Sequence, residues 1–282
     1  LEYHADRFED CSALVLDGNK LVALLPASWH GQEASSEVRS HGGLTYGGVL
    51  SDRKMSAATM LHVFEVLVAH YRQLGAASIL YKTIPHIYHR MPAEEDRYAL
   101  FRVGATLQRR DVAAAIHMRG RAPLTKGRKW ALSKARATGL EVQESDDFER
   151  FFELEAQLLD AKYGTKPVHT ADEMRLLHER YPDRVRLFTV SEAGQLAAGT
   201  IVFDCDPCLH VQYIASTKQG RDRFAVDALF SHLIDTVYAD REWFDFGIST
   251  EREGQQLNAA LASNKESWGA RSVVYDFYRL DL

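Results

Sequence analysis

From Leu140 onward the apolar residues change their period repeatedly, and that rhythm limits the fold more than any other feature of the chain. The runs "LEVQES", "VRLFTVSE", "LAAGTIVFD", "LHVQYIAS", "WFDFGIS" and "RSVVYDFYRL" are short, alternating or apolar, and read as strands. Helical spacing fills the intervals at Phe148–Ala161, Ala171–Arg180, Phe224–Tyr238 and Leu257–Trp268. In the third of these, Val226, Leu229, Phe230, Leu233, Ile234 and Val237 share one side. Ser145 or Asp146 caps the first helix, Pro182 stops the second, and Ala193-Gly194 and Asp206-Pro207 mark turns between strands. The predicted order is strand, two helices, three antiparallel strands, helix, strand, helix, strand.

The first half mixes the same ingredients. Apolar runs flank Asp17-Gly18-Asn19, a hairpin signal, and "GGLTYGGVL" reads as a short strand bracketed by glycines. Met60, Leu61, Phe64, Leu67, Val68 and Tyr71 recur at three- and four-residue steps in a helix that Gly75 closes. "ASILYKTI" and "ATLQRRDVAAAIHM" read as strands, with a short helix at Ala93–Val103 between them. The expected class is α+β, mixed α/β, in two domains at 1–120 and 121–282, joined by a basic helix at about 123–138.

Hydrophobic residues make up 46% of the 282-residue chain and charged residues 26%, enough for a full core in each domain. No apolar run approaches the ~20 residues that span a bilayer, so no membrane insertion is expected. The opening "LEYHADRFED" is polar and acidic, unlike a signal peptide, and a cytoplasmic location is the expectation. Because the chain opens on Leu1, the natural start is expected upstream. The net charge of −5 argues against a protein built around a nucleic-acid footprint. Val112–Leu140, however, holds Arg119, Arg121, Lys126, Arg128, Lys129, Lys134 and Arg136 with no Asp or Glu. Such a run is either a solvated helix face or a site for a phosphate-bearing ligand.

Other motifs are weaker. "CDPC" (Cys205, Cys208) has His210 close behind, but no second pair completes a zinc site, and Cys11 stands alone. No metal or bound cofactor is expected. His86-x-x-His89 lacks the helical i, i+4 spacing of a metalloprotease and reads as structural. Local context suggests no Ser-His-Asp or Cys-His-Asp nucleophile.

Five blocks in order resemble the FemAB-like branch of the GNAT acyltransferases: "SHGGLTYGGVL", "KGRKWALSKARATGLEV", "HVQYIAS", "FDFGIS" and "LNAALASNKESWGAR". The resemblance covers nearly the whole chain and implies two tandem GNAT-like domains, the first degenerate, each a mostly antiparallel sheet flanked by helices. It implies transfer of an acyl or aminoacyl group to an amine of a cell-envelope or polysaccharide-type precursor, with acyl-CoA or aminoacyl-tRNA as donor. Two departures stand out. "STKQGRDRFAVDAL" replaces the glycine-rich pyrophosphate loop of CoA-binding members, putting Arg223 and Phe224 where small residues let the backbone approach. The long helical arm with which some Fem proteins contact tRNA is absent, so tRNA is an allowed partner but not the favoured one.

The resemblance also assigns roles. Lys265 stands where the family has Phe-Lys-x-x-Phe-Gly, with Asn264 and Trp268 at the aromatic positions; it is expected to stabilise the carbonyl oxyanion or the acceptor's phosphates. Tyr213 is expected to position substrate, and Asp245 to orient the amine or act as a weak base. Glu251 follows in a polar loop and reads as solvated. Tyr46 is expected to line an acceptor groove. Arg128, Lys129, Gly220, Arg221 and Arg223 are the expected phosphate contacts. The alternative is a GNAT-like protein that binds a phosphorylated ligand and transfers nothing. Donor, acceptor and oligomeric state are left open.

Overall fold

The computed structural model describes residues 5–31 and 36–282, leaving aside the side chains of 162 and 163. In chain order come β1 (Glu9–Asp10), β2 (Ala13–Asp17), β3 (Lys20–Leu25), β4 (Ser28–His30), β5 (Glu37–Arg39) and β6 (Leu50–Ser51). α1 (Ala57–Gln73), β7 (Ser78–Lys82), α2 (Glu95–Arg102), β8 (Thr106–His117) and α3 (Lys126–Arg136) follow. Next are β9 (Glu141–Ser145), α4 (Phe148–Tyr163), α5 (Ala171–Arg180), β10 (Val185–Glu192), β11 (Gln195–Asp204) and β12 (Cys208–Ser216). The chain ends with α6 (Lys218–Asp222), α7 (Ala225–His232), β13 (Trp243–Ile248), β14 (Thr250–Glu251), β15 (Gln256–Leu257), α8 (Ala259–Glu266) and β16 (Arg271–Asp281).

These elements form two compact units. The first comprises Leu1–Val112, Thr250–Leu257 and Val273–Leu282; the second comprises Ala113–Ser249 and Asn258–Ser272. The sequence expectation kept the last strand in the second domain. Most of it belongs to the first, because β16 pairs antiparallel with β7, placing Phe277 opposite Lys82 and Tyr278 opposite Tyr81. A pairing between segments so distant in sequence leaves no local signature.

In the first unit the strands run β1-β4-β5-β7-β16, antiparallel except for the parallel β5–β7 pair, with a small β2-β3-β6 sheet beside α1 in the same core. Ser56 caps α1 by accepting from Thr59 N at 3.1 Å, and Met60, Val63, Phe64, Leu67 and Tyr71 enter the core. "GGLTYGGVL" forms a strand only at Leu50. The loop before it packs too closely for a ladder: a Cβ on Gly47 would lie 2.6 Å from Ser40 O, and one on Gly48 2.7 Å from Tyr81 Oη. The loop's carbonyls are taken up by the ammonium of Lys82, which donates to His41 O (2.9 Å), Gly42 O (3.4 Å) and Leu44 O (2.6 Å).

In the second unit the order is β13-β12-β11-β10-β9, antiparallel except for β12–β13. One core lies under α3 and α7, built from residues such as Leu132, Leu209, Val211, Leu229, Phe230, Phe244 and Phe246. Another lies under α4 and α5, with Phe148, Phe151, Phe152, Met174, Leu187, Ile201 and Ala215. A capping box at Thr170 and Glu173 starts α5. Cys205 N donates to Cys208 O at 3.0 Å, so the C-x-x-C is the turn between β11 and β12.

Candidate active site

β12 and β13 run in parallel for three pairs only, Cys208 with Trp243, Leu209 with Phe244 and His210 with Asp245, and then part. Each strand carries a cause. In β12 the register slips between the partners of Ile201 and Val202, which face Tyr213 and Val211, so Gln212 is an extra residue. In β13 the register against β8 shifts between Asp245 and Ile248, and Gly247 between them takes φ +72°. Leu209, Val211, Phe244 and Phe246 enter the core under α7, so strand alternation places His210 and Asp245 on the opposite face.

A polar cluster occupies the point of divergence. Asp245 is fully buried; its Oδ2 lies 2.7 Å from His210 Nδ1, and its Oδ1 accepts from Gly247 N at 2.9 Å. With the carboxylate as acceptor, Nδ1 donates the ring N–H. Lys265, only 6% exposed, donates to Gly247 O at 2.9 Å and to Ile248 O at 2.6 Å. Burial pushes its ammonium down to about 8, and the charge of Asp245 opposes that shift. An ammonium has three donors, and two are placed. Ser249, buried beside these carbonyls in sequence, has a hydroxyl without a hydrogen-bond partner among the described residues.

α8 delivers the lysine. Asn258 caps it by accepting from Leu261 N at 3.0 Å, and the helix ends where Gly269 turns at φ +86°. A side chain at Gly269 would meet Ala122 O at 2.1 Å. Trp268 is buried against Phe230, with ring centroids 5.9 Å apart, and anchors the end of the helix. Asn264, at the other family aromatic position, is exposed, and its carbonyl accepts from Arg128 at 3.3 Å and from Ser267 Oγ at 2.5 Å.

The structure brings Lys265 and Asp245 together and adds His210, which the sequence reading met only as a neighbour of the C-x-x-C. Its signal, a histidine in the strand preceding "FDFG", becomes specific only through the parallel pairing. Tyr213 lies farther along β12 with its hydroxyl 2.6 Å from His169 Nδ1 and its ring packed on Phe152; burial pushes the phenol up to about 12.

Of the expected phosphate contacts, Arg128, Gly220, Arg221 and Arg223 have partners within the protein. Arg128 pairs with Asp227, donates to Ser267 Oγ at 3.0 Å and lies 4.4 Å over the Trp268 ring, stapling α3, α7 and α8 together. Gly220 donates its N–H to Thr217 Oγ1 at 2.8 Å, and a Cβ there would lie 2.0 Å from Ala197 O, so it serves close packing. Arg221 donates to Ser216 O at 2.6 Å, and Arg223 pairs with Glu192. Lys129 is exposed at the start of α3. Tyr46 belongs to the first unit, 4.4 Å from Tyr88 between ring centroids, and Glu251 is exposed there in the β14–β15 ribbon.

Residues 118–255 match the family model described as Acetyltransferase (GNAT) domain. The chain has a GNAT-like fold. Among solved structures, that of FemX is similar over 99% of this chain and 89% of its own, with a TM-score of 0.68 at 9% identity. The C-terminal DUF2156 domain of an Agrobacterium fabrum protein assigned as a lysylphosphatidylglycerol synthetase follows at TM-score 0.64 and 11% identity, over 96% of this chain and 84% of that one. L-PGS from Bacillus licheniformis gives a TM-score of 0.60 at 14% identity, over 92% and 81%. At such identities the likeness is one of fold, and it agrees with the expected α+β, GNAT-like fold. No curated protein matches the sequence. Among the described residues no helix is long and apolar enough to cross a membrane, and no group of three or more His, Cys, Asp or Glu is arranged to hold a metal ion.

Proposed function

We propose that this GNAT domain transfers an acyl or aminoacyl group to an amine of a cell-envelope or polysaccharide-type precursor. The observation that carries this reading is the buried Lys265–Asp245–His210 cluster where β12 and β13 diverge. An acyl-CoA or aminoacyl-tRNA presents an electrophilic carbonyl, and direct attack by the amine requires no protein-bound intermediate. Catalysis then consists of holding the two substrates together and meeting the charge that develops on the carbonyl oxygen. Lys265 fits that task, since two carbonyls fix its ammonium and leave one N–H to donate. His210 and Asp245 fix the bend at Gly247 from the other side.

A second reading, a GNAT-like protein that binds a phosphorylated ligand and transfers nothing, draws on the internal engagement of Arg221 and Arg223 and on Phe224, held at φ +60° where a pyrophosphate would approach. Thioester or ester consumption separates the two. The chain is mixed with acyl-CoA or aminoacyl-tRNA and a panel of amines, including aminosugars and phosphorylated sugars. Donor consumption that depends on both amine and Lys265 supports transfer. Thermal stabilisation by phosphorylated sugars with no consumption of either donor supports binding alone.

A further inference from the structure

α3 turns one stripe of its surface away from the core, and that stripe has no part in the Lys265 cluster. Ala131, Leu132 and Ala135 are buried on the inner side of the helix. Lys126, Lys129, Trp130, Ser133 and Lys134 are exposed, and steps of three and four residues align them on one outer face. The face is about 12 Å long from Lys126 to Lys134, at ~1.5 Å per residue. Arg136, also exposed, adjoins it beside Lys129 on the helix surface. Trp130 sits at the centre and is 57% exposed.

A solvated basic helix ordinarily carries acids among its cations or meets them on its neighbours. Neither holds for this face. No Asp or Glu lies between Val112 and Leu140. α7 shares a core with α3, and its acids are already engaged, Asp227 by Arg128 and Asp235 by Arg121 and Ser231. Among the described residues, Lys126, Lys129, Lys134 and Arg136 make no ion pair. Four unpaired cations thus gather on one helix of a chain whose net charge is −5. The indole among them completes an interfacial pattern, with cations for anionic headgroups and a ring for the boundary with the acyl chains. A nucleic acid would instead need that ring as a stacking platform. Phe224 packs against it at 87° with centroids 5.3 Å apart, and the Lys134 ammonium lies 5.8 Å from its centroid. Both crowd the flat stacking that a base requires, and neither keeps the indole edge from entering a headgroup layer.

We propose that the outer face of α3 docks the second unit on an anionic lipid bilayer. The contact is peripheral. The helix lies along the surface, the lysines reach headgroup phosphates with their flexible stems, and Trp130 enters the boundary with the acyl chains. Four Lys/Arg on one helix suffice for such a contact, and each strengthens binding by roughly fivefold near a charged bilayer. The attraction fades over a Debye length, about 8 Å at physiological salt, so it holds only for lipid that is both anionic and close. Docking of this kind needs neither donor nor acceptor, and it stands whether or not the domain transfers a group.

The test follows the full chain onto vesicles of phosphatidylcholine alone or mixed with phosphatidylserine, by co-sedimentation and by tryptophan emission. The chain has four tryptophans, so Trp130→Phe identifies the emission that belongs to this face. The expected result is sedimentation with the mixed vesicles only, release at high salt, and a blue shift that Trp130→Phe lacks. Replacing Lys126, Lys129 and Lys134 together by Gln should weaken vesicle binding roughly a hundredfold, with near-ultraviolet circular dichroism unchanged because all three are exposed. Sedimentation that ignores phosphatidylserine overturns the proposal, as does equal binding by the triple variant or no binding to either vesicle. A short polyuridine RNA is the further arm. RNA binding that the triple variant loses, without vesicle binding by the wild type, makes the face a nucleic-acid surface and overturns the lipid assignment. If the triple variant folds poorly, salt release and the Trp130 shift in the otherwise unaltered chain still decide.

Discussion

Each compact unit buries one lysine on backbone carbonyls, and the two lysines differ in what surrounds them. Lys82 in the first unit and Lys265 in the second are 8% and 6% exposed, and burial pushes both ammonium groups down to about 8. Lys82 donates to three carbonyls of the loop that contains Tyr46, and its further neighbours Arg39 and Arg109 push it in the same direction as burial. All three of its donors are spent, so it acts as a latch. Lys265 donates to two carbonyls, and Asp245 supports its charge. A buried cation with a spare donor and a carboxylate behind it is poised to meet a charge that appears only in a transition state. Burial and a lowered pKa are thus common to the two lysines; the count of satisfied donors separates them.

The sharpest break of this comparison is a matched pair of alanine variants. Lys265→Ala is expected to lower kcat by roughly 10²–10³, the loss typical of one oxyanion donor, with a smaller loss of stability than Lys82→Ala. Lys82→Ala is expected to leave the chemical step intact. Full activity in Lys265→Ala, measured as donor consumption with the amine panel, ends the assignment. Stability should show the reverse order. Lys82→Ala strips the loop of its shared donor and is expected to cost about 2–3 kcal/mol in chemical denaturation, the range for buried groups left unsatisfied. An equal loss of stability from both variants would make Lys265 a second latch.

Asp245 sharpens the contrast, because among the described residues no carboxylate plays its part at Lys82. Asp245→Asn removes the charge that holds the Lys265 ammonium up, so the lysine's pKa should fall below about 8. If transfer needs the ammonium, wild-type activity declines as pH rises through about 8, and this alkaline limb moves to lower pH in the variant. An alkaline limb at the same position in both proteins would mean that the lysine is not the group titrating.

How much of this is legible in the chain depends on how local each cause is. The alternation of strands and helices, the α5 boundaries and the turn at Cys205–Cys208 follow from periodicity, caps and turn residues within a few positions of one another. Lys265 and Asp245 stand out through motif resemblance, which supplies what spacing alone does not. Arg128 reads as a free cation because its partners Asp227, Ser267 and Trp268 lie about 100 residues or more away and meet it only after α3, α7 and α8 pack. "GGLTYGGVL" reads as a strand because nothing nearby reveals that Lys82 collects its carbonyls.

The smallest effect is the pH dependence of stability, where the lysines should behave alike. Each has a folded pKa near 8 against an ordinary value of 10.5, so between these limits the unfolded chain binds more protons than the folded one. Stability therefore rises as pH climbs from about 8 toward 10.5, and below about 8 the burial cost is felt in full. A shift of this size, reduced for partial solvation, corresponds to about 2 kcal/mol per lysine. Replacement by Met keeps the aliphatic stem and removes the charge, so Lys265→Met should flatten the rise by about that amount in urea titrations at pH 7.5 and 10. Lys82→Met should flatten it equally, while losing the loop's three donated hydrogen bonds at every pH. Parallel pH slopes with different offsets would establish that the two ammonium groups share a burial cost and differ in what their donors hold.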